Sequence, residues 1–138
     1  MMSNDNSEMP RTVLLLEDEP LILMDLDFAA QDMGCTVLAS STVAQALELI
    51  SEHHDAITVA VLDVSLGEGR TCFEAARELD KHEIPFILHS GDLDRHDEKV
   101  RELDAELIAK PAPAEKVIGA AIAYALGETL DDERIAAE

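Results

Sequence analysis

Positive charge is what this chain has least of. Ten Lys and Arg stand against 30 Asp and Glu, a formal net charge of −20 at pH 7. So acidic a surface repels phosphate backbones, which argues against nucleic acid as a partner and favours a basic protein or a cation held in a cleft. Cysteine is also scarce. Cys35 and Cys72 are too few and too scattered for a disulfide framework or a zinc site, and both read as reduced packing residues. No apolar run approaches a membrane span, so no membrane partner is expected. The opening MMSNDNSEMPR lacks an apolar stretch and carries acids, unlike a secretory signal. These absences together predict a cytoplasmic protein.

What is present is enough apolar material for a core. Hydrophobic residues make up 47% of 138 positions, which suits one globular domain. Short continuous apolar runs occur at Val13–Leu16, Val37–Ala39, Val59–Leu62, Phe86–Leu88 and Leu107–Ala109. Between them lie stretches with helical spacing: Ile22, Leu26, Ala29 and Met33; Val43, Ala46, Leu47 and Ile50; Cys72, Ala75, Ala76 and Leu79; Ile118, Ala121, Ile122 and Ala125. A weaker stretch from Arg95 to Asp104 offers mainly Val100 and Leu103. Five strands alternating with five helices predict an α/β fold with a parallel sheet covered on both faces. The flavodoxin-like, doubly wound (βα)5 order 2-1-3-4-5 satisfies right-handed crossovers. Residues 11–127 are expected to form the domain, between a disordered extension at 1–10 and an acidic one at 128–138. No output domain is expected to follow.

The segment VLLLEDEP, from Val13 to Pro20, then poses a problem. Three carboxylates, Glu17, Asp18 and Glu19, follow a hydrocarbon run with no spacer, and neighbouring carboxylates raise one another's pKa unless a positive charge intervenes. In an open parallel sheet of this order, ligands bind beyond the carboxyl ends of the strands, where strands 1 and 3 part. Strand 1 runs into Glu17-Asp18, strand 3 into Asp63, strand 4 into Ser90-Gly91 and strand 5 into Lys110-Pro111. Each has an ordinary reading. Asp18 or Asp63 can cap a helix, Glu19 beside Pro20 reads as a first-turn acid, and Ser-Gly and Lys-Pro are common turns. Their joint arrival at one rim is harder to explain as capping. The acids suit a hard divalent cation such as Mg2+, which takes oxygen ligands and keeps waters or substrate phosphate for the rest.

This combination resembles the receiver domain of bacterial two-component response regulators, over about Thr12 to Leu126. The acidic pair matches Glu17 and Asp18, the phosphoacceptor Asp63, the conserved hydroxyl Ser90 and the lysine Lys110, which precedes Pro111. The resemblance implies that Asp63 accepts a phosphoryl group from a sensor histidine kinase or a histidine phosphotransfer protein. It implies Mg2+ held by Asp18, Asp63 and the Ser65 carbonyl, with Glu17 acting through a metal-bound water. Lys110 and Ser90 would hold phosphoryl oxygens, and the Lys110–Pro111 bond would be cis. Ser65 and Asp92 would tune the lifetime of the aspartyl phosphate by controlling the water that removes it. The domain would thus catalyse its own phosphorylation and dephosphorylation. It would signal to a downstream protein through the face of helix 4, strand 5 and helix 5, as a monomer or weak homodimer.

Two departures stand out. Leu107 occupies the strand 5 position where most receivers carry an aromatic, so signal is expected to travel by backbone or helix 4 movement instead. The loop VSLGEGRT has Gly67 where proline is common, and two glycines predict a more mobile loop. The stretch IPFILHSG resembles a receiver subgroup whose members are often stand-alone, single-domain proteins. His53, His54, His82, His89 and His96 show no ligand spacing and read as surface or packing residues. The competing reading is a degenerate receiver that acts only as a protein-binding module; an intact set of Asp18, Asp63, Ser90 and Lys110 argues against it. An aspartate-nucleophile phosphatase is disfavoured because the best nucleophile lies on strand 3, not strand 1.

Overall fold

Hydrocarbon on both sides of a strand requires cover on both sides, and the chain supplies it. The computed structural model describes residues 11–91, 100, 102–103 and 105–127. Strands β1 (Thr12–Leu16), β2 (Thr36–Ser40), β3 (Ile57–Asp63), β4 (Phe86–Ser90) and β5 (Leu107–Ala109) form one sheet in the order β2-β1-β3-β4-β5. Every pairing is parallel. The predicted strand order is therefore the observed one. The inner strands β1 and β4 are buried along their whole length, whereas the edge strands β2 and β5 are largely half-buried.

The described helices are α1 (Pro20–Asp32), α2 (Val43–His53), α3 (Phe73–Lys81) and α4 (Ala114–Ala125). Their ends are set by local chemistry. Pro20 opens α1, where a missing N–H costs nothing. Gly34, at φ +84°, closes it: the Gly34 and Cys35 N–H groups donate to the Gln31 and Ala30 carbonyls at 2.9 and 3.0 Å. Thr42 caps α2 by accepting from the Gln45 N–H at 3.1 Å, while the Gln45 side chain accepts from the Ser41 N–H. Glu19 is the N-cap residue of α1 and makes no side-chain capping bond, so the expected first-turn acid stands one position outside the helix. The predicted helix over Arg95 to Asp104 lies largely outside the described residues. Its Val100 is buried in the core and Leu103 packs against it.

Strand residues alternate between two cores. Leu14, Leu16, Ala60, Leu62, Phe86 and Leu88 face α2 and α3, joined by Ala46, Ile50, Ala76 and Leu79. Val13, Leu15, Val59, Val61 and Ile87 face α1 and α4, joined by Leu26, Ala30, Val117 and Ile118. Cys35 and Cys72 are both buried, as expected of packing residues. Among the described residues no helix is long and apolar enough to cross a membrane.

Candidate phosphoryl and metal site

Strand periodicity builds this site. The β1 and β3 positions that point toward α1 and α4 are Val13 and Leu15, then Val59 and Val61. Two residues further on, the same parity delivers Glu17 and Asp63. Parallel register aligns Leu16 with Leu62, so these carboxylates reach the rim together. β4 adds His89 opposite Asp63, and β5 leads into Lys110. Backbone bonds fix the strand ends: the Glu17 N–H donates to Ser40 O at 3.1 Å and the Lys110 N–H to Ser90 O at 2.8 Å.

Glu17 and Asp63 are only 1% and 3% exposed, an expensive place for two acids without compensation. Lys110 compensates in part. Its Nζ lies 3.2 Å from Glu17 Oε1 and 3.4 Å from Asp63 Oδ2. The Glu19 N–H donates to Glu17 Oε2 at 3.1 Å. Apart from the ion pair, the buried Glu17 Oε1 accepts no hydrogen bond among the described residues. The Lys110–Pro111 bond is cis, as the resemblance implied.

One ammonium does not balance three carboxylates. Burial, and then the adjacent Glu17, push the Asp63 carboxyl up to about 8 against the downward pull of Lys110. For Lys110 itself, burial favours the neutral amine, but Asp63 and Glu17 outweigh it and hold the ammonium above its ordinary range. Asp18 is half-buried beside them, and one oxygen each from Glu17, Asp18 and Asp63 fall within 4.8 Å of one another. The donors are all oxygen, two of the three acids are buried, and their charge exceeds what Lys110 supplies. These residues fit a hard divalent cation.

The remaining candidates divide. Ser90 ends β4 fully buried, and its Oγ donates to Gly91 O at 3.1 Å. Ser65 lies two residues past Asp63, with an exposed side chain, and bridges to Thr71. Asp92 lies outside the described residues. Leu107 is half-buried against the core under α2 and α3. The loop after β3 is a small hairpin: the Leu66 N–H donates to Arg70 O and the Arg70 N–H to Gly67 O, both at 2.9 Å. Gly67 and Gly69 take positive φ there, and a Cβ on Gly67 would sit 3.4 Å from Asp18 Oδ2. Gly67 brings that turn close to Asp18.

Two features escaped the sequence. Lys110 already stands between the crowded carboxylates, so part of the missing positive charge comes from the chain itself. His89 is 3% exposed with neither ring nitrogen hydrogen-bonded among the described residues. Its parity with Ile87, on a strand buried along both faces, was the available signal.

No family model matches the sequence. The chain is 32% identical over 107 residues to the phyllosphere-induced regulator PhyR of Methylorubrum extorquens. That match takes in 76% of this chain and 40% of PhyR, so the chain spans well under half of that regulator's length. The receiver domain of the PhyR response regulator from Erythrobacter litoralis superposes with a TM-score of 0.71 at 26% identity, over 86% of this chain and 91% of that domain. A response regulator receiver protein from Sinorhizobium medicae gives the same TM-score and identity, over 86% and 95%. With its strand order, its rim of acids and lysine, and these relatives in agreement, the chain belongs to the response regulator receiver domains.

Proposed function

We propose that this domain accepts a phosphoryl group on Asp63 from a phosphohistidine of a kinase or phosphotransfer protein, and signals by contact with a further protein. The observation that carries this reading is the Asp63 carboxylate itself. It is buried at the carboxyl end of β3, 3.4 Å from Lys110 and clustered with Glu17 and Asp18. In the transfer an Asp63 oxygen forms a bond to phosphorus as the nitrogen–phosphorus bond breaks. The imidazole leaves with the electron pair of that bond. Such transfers depend on alignment and charge neutralisation more than on nucleophile strength.

Glu17, Asp18 and Asp63 would hold Mg2+, with the Ser65 carbonyl as a further oxygen donor. When bound, the metal neutralises charge on the carboxylates and phosphoryl oxygens. Lys110 then has a second task, since its ammonium can pair with a phosphoryl oxygen once Asp63 is esterified. Ser90 would donate its hydroxyl to another oxygen by turning away from Gly91 O. Asp92 would act on the lifetime of the acyl phosphate. A partner surface is available beside the rim, where Leu21, Met24 and Phe28 on α1 are 72, 44 and 58% exposed. A pure binding module would leave the buried acids without a purpose.

The test is intact-mass analysis with Mg2+ and a small acyl-phosphate donor, or with a phosphorylated cognate kinase. One phosphate should be added to the wild type and none to Asp63→Asn. Beryllofluoride with Mg2+ should shift the amides around Asp63, Ser90 and Lys110. A folded wild type that takes up no phosphate from either donor would return the domain to the binding-module reading.

A further inference from the structure

We propose that the pocket between α1 and the segment leading from β5 into α4 is a binding site for a small, neutral aromatic molecule bearing a hydroxyl or ring N–H, anchored by His89. The pocket holds about 150 Å3. Ile22 and Leu26 of α1, Pro111 and two alanines give it apolar walls, and His89, Lys110 and Asp25 supply its polar atoms. A cavity of roughly this volume holds a benzene-sized ring.

His89 supplies the reason for a polar ligand. It is almost wholly buried, lines this pocket, and has no hydrogen-bond partner at Nδ1 or Nε2 among the described residues. Buried polar atoms are nearly always paired, so two positions on one ring that no described residue fills leave room for a ligand's polar group. Burial and the Lys110 ammonium hold the imidazole down at about 4, so near pH 7 it is neutral and offers one donor and one acceptor. A hydroxyl or azole N–H can meet either.

Charge in the pocket narrows the class. Asp25 opposes an anion, and Lys110 opposes a cation. The Lys110 ammonium is also engaged by Glu17 and Asp63, so it is poorly placed to hold a ligand's acid group. A neutral ring with one polar edge fits walls of this composition. The site is independent of phosphoryl acceptance, although Lys110 borders both.

The test is an NMR titration of the full chain with phenol and, separately, benzene. Phenol should give intermolecular NOEs to the Ile22 and Leu26 methyl groups, shift the His89 ring resonances, and bind about tenfold more tightly than benzene. His89→Leu should abolish that preference. Ala114→Leu, which narrows the pocket but keeps His89, should weaken both probes. Asp63→Asn should bind phenol like the wild type, so loss of phosphoryl uptake and loss of this site are separately visible. Equal affinity for the two probes, or pocket NOEs absent while the protein stays folded, would overturn the proposal. So would His89 nitrogens that contact only long-lived water.

Discussion

On the face of the sheet covered by α2 and α3, the strand positions stay apolar almost to the rim: Leu14 and Leu16, Ala60 and Leu62, Phe86 and Leu88. On the face covered by α1 and α4, Val13 and Leu15 lead to Glu17, Val59 and Val61 to Asp63, Ile87 to His89, and Ile108 to Lys110. The same alternation governs both. One face stabilises the domain, whereas the other uses that stability to hold ionisable groups where water would not leave them. Burial is what sets the second face apart chemically, because it perturbs the ionisable groups gathered there.

Each contrast can be broken by a substitution. The largest effect is expected at Asp63. Its carboxyl is raised to about 8, so the folded protein keeps a proton that the unfolded chain loses near pH 4. Stability conferred by that proton is intact at low pH and is lost as pH rises from about 4 through 8. Asp63→Asn has no such loss. Without metal, it should exceed the wild type by about 5 kcal/mol above pH 8 and by nothing near pH 3, in urea titrations at each pH. Added Mg2+ should flatten the wild-type slope.

The apolar face should behave in the opposite way. Leu88→Ala, at a fully buried position, should cost about 3 kcal/mol by the same titrations, with little dependence on pH or Mg2+. A strong pH dependence there would show that the two faces are not energetically separate.

The smallest effect is expected at His89, with the sign on the acid side. Its folded pKa of about 4 lies below the ordinary histidine range, so the unfolded chain takes up a proton first as pH falls. Wild-type stability should therefore fall between about pH 6.5 and 4. At pH 5 that loss should approach about 2 kcal/mol, and it should be missing in His89→Leu. Equal acid slopes in the two proteins would mean that the imidazole is not held neutral by its surroundings.

Much of this was legible in the chain. Apolar strand runs, helical spacing and right-handed crossovers carried the strand order, because burial on two faces leaves few other arrangements. Glu17, Asp18, Asp63, Ser90 and Lys110 could be placed at one rim because each follows a strand. Sequence could not set distances or depth. It set Glu17 and Asp18 side by side at the rim without a depth for either, and Glu17 is buried while Asp18 is only half so. It could not show that Gly67 and Gly69 take positive φ in a hydrogen-bonded turn, with Gly67 beside Asp18. It read His89 as a surface or packing residue, since nothing local reveals that a buried ring has no partner among the described residues.

The sequence alone determined which elements form and which side chains arrive at the carboxyl ends of the strands. Period and polarity are local properties, and burying hydrocarbon on both sides of a parallel sheet does the rest. Tertiary structure decided how those side chains interact: Lys110 against Glu17 and Asp63, a carboxyl pushed far from its ordinary range, and a buried imidazole at a pocket wall. The physical reason is that electrostatic energy depends on separation and on exclusion of water, and both are fixed only when distant segments pack.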